Sequence, residues 1–128
     1  MVMIAAACAL ADAEAYTDIV TGTNLEEAGA YPDNTQSFIA TMDAASQLGT
    51  TSRARVFAPL GNLVKHQIVA AGLRVGAPLH ATWSCYRAGE MHCGRCGPCF
   101  MRRVAFEING ARDPVTYDAP LRRLRPVG

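Results

Sequence analysis

The sequence predicts an α/β domain with a parallel sheet, followed by a four-cysteine helical segment, on three observations. Two short β-branched stretches, TDIVTG (17–22) and RVFAPL (55–60), alternate with longer helix-forming stretches. Half of the 128 residues are hydrophobic, enough for a packed core and too many for a disordered chain. Four of the five cysteines, Cys85, Cys93, Cys96 and Cys99, fall within fifteen positions.

Residues 2 to 15 are strong helix formers with hardly any polar face and predict a helix buried on most sides. The stretch at 17–22 closes on Gly22 and reads as a buried strand. NLEEAGAYPDNTQSF is a polar loop with turn signals at Ala28-Gly29 and Tyr31-Pro32-Asp33. Asn34 or Thr35 would cap a helix running to about Leu48, where Gly49 stops it. A second strand at 55–60 ends at Pro59. The next helix, from about Leu63 to Val75, would turn Leu63, Ile68, Val69 and Leu73 inward and Lys65, His66 and Arg74 outward. Helix, strand, helix, strand, helix fits right-handed crossovers in a parallel sheet. A last helix from about Cys99 to Ile108 carries Phe100, Val104 and Ile108 at spacing four, and Asn109-Gly110 ends it. The expected divisions are 1–82 for the α/β part, 83–112 for the cysteine segment and 113–128 for a basic, proline-broken surface tail. Two strands make a poor sheet by themselves, so the chain reads as the second half of an α/β domain.

A net charge of +1 favours neither nucleic acid nor an acidic membrane as a partner. MVMIAAACALADAEA imitates a secretory or lipoprotein leader ending at Cys8, but it has no basic n-region and too short an apolar run. No segment approaches the length of a membrane span, and the expected setting is the cytoplasm, with reduced thiols. Cys8, in an apolar helix, reads as an inert core thiol.

The cysteine spacing is C-x7-C-x2-C-x2-C. A C-x2-C pair around Gly94 lets two thiolates face one ion. Cys99 lies at a helix start, where the dipole and free N–H groups favour a thiolate, and Cys85 would close a tetrahedron. Four sulfurs leave no open position, so the reading is a structural zinc site. An iron–sulfur cluster is the second reading, although the downstream cysteine of ferredoxins is absent. A redox C-x2-C is the third. His80 and His92 are spare ligands that four sulfurs make unnecessary.

TWSCYRAGEMHCGRCGPCFMRRVAF resembles the signature of the 7-cyano-7-deazaguanine synthase family, with its W-S-C-Y, C-G-x-C-x-x-C and following R-x-x-x-F. IVTGTNLEEAGAYPDNTQSFI, FAPLGNLVKHQIVAAG and GARDP are similar, in order, to further segments of that family, so the resemblance covers about residues 1 to 114. It implies a Rossmann-like fold and an enzyme that converts 7-carboxy-7-deazaguanine and ammonia to the nitrile. ATP adenylates first the carboxylate and then the amide. It further implies that Lys65 and Arg102 contact the nucleotide, and that Asn24, Glu27, Tyr31 and Asp33 contact substrate. Read from the residues alone, Lys65 is equally a solvated helix lysine and Asn24 a simple turn residue, while Arg102 is equally a partner for Glu107 or Glu90. Trp83 and Tyr86 would cover the metal site.

The family's pyrophosphate loop, S-G-G-x-D-S, does not occur in this sequence, and YPDNTQSF lacks the cysteine and arginine that often follow there. The expectation is an N-terminal half supplied by another chain or lying outside this sequence; a homodimer also fits. Two further readings stay open, a non-catalytic zinc-binding module and, through LRRLR, a nucleic-acid binder.

Overall fold

The computed structural model describes residues 1–87 and 89–118. It divides into two compact units, Met1–Val64 and Lys65–Gly128.

In the first unit, α1 (Val2–Ala13) leads to β1 (Asp18–Val20), and a short α2 (Leu25–Ala28) and a 3-10 turn (Pro32–Asn34) follow. Next come α3 (Gln36–Gly49) and β2 (Arg55–Phe57). The two strands pair in parallel with Ile19 opposite Val56, as the alternation of strands and helices predicts. Both helices cover the same face of this sheet. Cys8 of α1, Ile39 of α3 and Val56 of β2 form one buried cluster, with Ile4, Ile19 and Met42 packed around it. Thr35 caps α3 by accepting the Phe38 N–H at 3.2 Å, and the Asn24 side chain caps α2 by accepting the Glu27 N–H at 3.1 Å. The loop expected after β1 therefore contains a helical turn.

α1 departs from the sequence expectation. Only Cys8 and Ala11 are buried, while Val2, Met3 and Leu10 are 80, 83 and 59% exposed. Within this unit one stripe of the helix meets the sheet and α3, and no described element covers the rest.

In the second unit, α4 (Lys65–Arg74) packs on α5 (Gly97–Ile108). Val69, Ala105 and Phe106 form its apolar core, with Leu79 and Ala111 against it. Asn109 fastens the pair, donating from Nδ2 to the carbonyls of His66 at 2.9 Å and Ala105 at 2.7 Å. One expected face is corrected here: Leu73 is 44% exposed rather than inward. Phe100 and Ile108, at the spacing of four noted above, are 46 and 60% exposed. The buried side of α5 is Cys99, Arg102, Ala105 and Phe106. A polar anchor, Arg102, and the buried Cys99 lie on the inward side of this helix, so the apolar residues at spacing four do not decide its rotation.

The segment read as a surface tail also differs in its first part. Asp113 and Tyr117 pack against α5 and the cysteines, and His92 pairs with Tyr117 in an isolated bridge. Residues 119–128, with LRRLR, lie outside the described residues.

Candidate metal centre

The four sulfurs Cys85, Cys93, Cys96 and Cys99 lie within 4.8 Å of one another. All but Cys96 are buried, and the rest of the immediate packing comes from Tyr117. A tetrahedral ion with metal–sulfur bonds of about 2.3 Å needs sulfurs about 3.8 Å apart, so the set closes around one ion with little movement.

The local backbone is built to hold thiolates. Gly94 adopts φ 69°, a left-handed conformation that turns the chain between Cys93 and Cys96. That turn aims the N–H groups of Arg95 and Cys96 at Cys93 Sγ, at 3.4 and 3.3 Å. Cys85 Sγ accepts from the N–H groups of Arg87 and Cys93, both at 3.4 Å. Cys96 is the N-cap of α5, Pro98 stands in its first turn, and Cys99 follows one turn in.

These contacts set the acidities. The N–H groups of Arg95 and Cys96 draw the Cys93 thiol down to about 6, against burial, which raises it. The backbone of Tyr86 lowers Cys96, again against burial. Burial, reinforced by the neighbouring thiol of Cys96, pushes Cys99 up to about 12. The backbone thus favours a thiolate at Cys93, whereas burial opposes one at Cys99, a penalty that a bound cation would offset. The donor set fits a soft or borderline metal ion in a closed structural site.

His92 is buried beside the cluster. Its Nε2 accepts the Ser84 N–H at 3.2 Å, its ring lies against Trp83 at a tilt of 40° with centroids 4.3 Å apart, and Tyr117 meets it edge-on. Burial, then the Arg102 charge, lowers its pKa below the ordinary imidazole value, against the Asp113 charge, which raises it. Trp83 in turn donates its indole N–H to the Cys85 carbonyl at 2.8 Å. Tyr86 is 76% exposed.

Arg102 is the centre of a second cluster. Its Nε donates to both oxygens of Asp113, at 3.1 and 2.8 Å, and Nη2 donates to Asp113 Oδ1 and the Leu79 carbonyl, both at 2.9 Å. Nη1 reaches Thr82 Oγ1 at 2.6 Å. Tyr117 donates its hydroxyl to Asp113 Oδ2 at 2.5 Å. Burial raises the Asp113 carboxyl, but hydrogen bonds from Arg102 and Tyr117 outweigh it and hold it below its ordinary value. The partner of Arg102 is Asp113, neither Glu107 nor Glu90, and a phosphate would have to break that pair to reach the guanidinium. Asp113, Tyr117 and Thr82 escaped sequence reasoning. The one available signal was an arginine amid the apolar positions of α5, which calls for a buried acid somewhere.

The other expected contacts lie elsewhere. Asn24, Glu27, Tyr31 and Asp33 sit together in the loop beyond the carboxyl end of β1, with Asn24 buried and Tyr31 half exposed. The Thr23 hydroxyl beside them is buried and has no hydrogen-bond partner. Lys65 opens α4 in the second unit.

A family model described as queuosine biosynthesis protein QueC matches residues 1–110. A 7-cyano-7-deazaguanine synthase of Saccharolobus solfataricus is 52% identical over 120 residues, covering 92% of this chain and 26% of the relative. Another, of Methanosarcina mazei, is 40% identical over 114 residues, covering 89% of this chain and 49% of the relative. The chain thus spans about a quarter to a half of the length of these relatives, and it matches their C-terminal portion. No solved structure matches. With the cysteine cluster, the parallel strands and the match over most of its length in agreement, this chain belongs to the QueC family, alongside 7-cyano-7-deazaguanine synthases.

Proposed function

We propose that the chain is the C-terminal part of an ATP-dependent, nitrile-forming synthase that acts on 7-carboxy-7-deazaguanine and ammonia. The observation that carries this reading is the 52% identity, over 92% of the chain, to a protein named for the product. In this reading the substrate carboxylate attacks the α-phosphorus of ATP and releases pyrophosphate. Ammonia displaces AMP to give the amide, a second ATP activates the amide oxygen, and loss of AMP with the remaining amide protons leaves the nitrile. Adenylation needs cations and N–H groups about the pyrophosphate. This sequence offers no glycine-rich phosphate loop, so the part of the relatives that it does not match would supply one.

The role of this chain is then to bind and to hold. Ligands of open parallel sheets sit beyond the carboxyl ends of the strands. Thr23, with its unpartnered hydroxyl, and Asn24, Glu27, Tyr31 and Asp33 all lie at that end of β1. Tyr31 would stack on the deazapurine, and Asp33 would accept from its N–H edge. Lys65 would meet phosphate at the start of α4. The four cysteines would hold zinc, which would do no chemistry but fix the loop from Trp83 to Cys99.

The test is co-expression of this chain with the unmatched portion of the Methanosarcina mazei relative, followed by incubation with ATP, ammonia and 7-carboxy-7-deazaguanine. Nitrile formation with release of AMP is the expected result. Copurification without AMP release would reject the enzyme reading and leave a zinc-binding module. Metal analysis of the purified chain should give one zinc per chain; a brown, iron-containing protein would overturn the zinc assignment.

A further inference from the structure

We propose that the segment from Asp113 to Asp118 is a lid on the four-cysteine site, and that the Tyr117 ring sets how fast the metal leaves it. The lid rests on the zinc site proposed above and adds to it the residue that governs retention. Cys85, Cys93 and Cys99 are each at most 7% exposed. Among the described residues, the apolar side chain laid on them from outside the cysteine set is Tyr117. A four-sulfur site exchanges its ion when an incoming donor atom reaches it, so what lies over the sulfurs controls the rate. A cleft of about 390 Å³ has Cys93 in its wall together with Arg87, Met91, Arg95 and Asp118, so the end of the lid borders an approach to that sulfur.

Three tethers close this lid, and each leads back to the chain that carries the cysteines. The Tyr117 hydroxyl donates to Asp113 Oδ2 at 2.5 Å, and Asp113 is held by Arg102, one turn beyond Cys99 on α5. The Asp118 N–H donates at 2.8 Å to the carbonyl of His92, the neighbour of Cys93. The Arg103 guanidinium lies over the Tyr117 ring, 5.9 Å from its centroid. The same side chain donates from Nη1 to the Gly94 carbonyl, in the turn between Cys93 and Cys96, at 3.3 Å. The last two tethers hold while the turn around Cys93 keeps its shape, so a metal that orders this turn also orders the lid. By reciprocity, a closed lid tightens the hold on the metal.

The experiment is transfer of zinc from the loaded full chain to a colorimetric chelator, for the unaltered chain and three variants. Tyr117→Ala should release zinc at least about tenfold faster, and Tyr117→Phe, which keeps the ring and loses one hydrogen bond, less than about fivefold faster. Val69→Ala weakens the same unit from α4, away from the lid, and should stay within about threefold of the unaltered rate. If Tyr117→Ala also stays within about threefold, or if it and Val69→Ala speed release alike, Tyr117 is a packing residue only. The lid then falls and the zinc site stands. A purified chain that holds no zinc removes site and lid together. Amide hydrogen exchange on the unaltered chain decides the case in which Tyr117→Ala does not fold. The Asp118 amide should be protected at least about tenfold more with zinc than after chelation, while the Ala111 amide, bonded to the Phe106 carbonyl, changes little. Equal protection of Asp118 in the two states would overturn the lid.

Discussion

Arg102 and Asp113 show how far one buried pair can organise a small unit. Both side chains are less than a tenth exposed, so removing one partner strands the other's charge. Arg102→Ala should cost about 3–5 kcal/mol in urea unfolding of the metal-loaded chain, against about 1 kcal/mol for Tyr117→Phe, which removes one hydrogen bond. The depressed Asp113 carboxyl also fixes an acid dependence. Its contribution is complete above about pH 3.9, the value in the unfolded chain, and is lost as pH falls through the lower folded value. Asp113→Asn should therefore have a shallower decline in urea midpoint below pH 4 than the unaltered chain. Any metal held by the cysteines would leave both proteins in acid, so the difference between them reports the carboxylate. None of this was legible in the sequence, because Asp113 is 11 positions from Arg102 and stands in a proline-bearing stretch that looks like a tail. The clustering of the cysteines was legible because residues that could share one ion come in fixed types at short spacing, and that constraint survives without knowledge of the fold.

At the scale of elements, strands and helices fell close to where propensity and caps put them, whereas the exposed faces did not follow. Phe100, Val104 and Ile108 repeat every four residues, which is compatible with an apolar stripe on α5, yet the helix is rotated to bury Cys99, Arg102 and Phe106. Periodicity finds a helix; it cannot weigh a sulfur ligand and a guanidinium against two apolar side chains. The two candidate faces make opposite predictions. Phe106→Ala should cost about 3–5 kcal/mol by opening a cavity against Val69 and Ala105, and Ile108→Ser should stay within about 0.5 kcal/mol. Thermal melts of the two variants decide the matter. Metal removal acts on the same element, since Cys96 caps α5 and Cys99 lies in its first turn. Chelation should unwind the first turn of α5 and free the loop from Trp83 to Arg95, seen as lost helical circular dichroism and as new proteolytic sites there.

For the molecule as a whole, the two-stranded sheet explains why the sequence reads as half of a domain. Strands of three residues, covered on one face only, bury too little to stand as an open sheet, and α1 shows the same incompleteness along most of its length. A complex with the unmatched portion of a relative should therefore raise the melting temperature of this chain, and differential scanning of chain and complex would measure it. Asp43 of α3 accepts the Val56 N–H at 2.7 Å, at the edge of β2 away from β1, and this has a consequence for assembly. A sheet with two open edges has a valence of two and can propagate into filaments, strand upon strand. Here one edge has its N–H already taken and carries a carboxylate, so it offers an incoming strand an acceptor without a donor, and growth at that end is disfavoured.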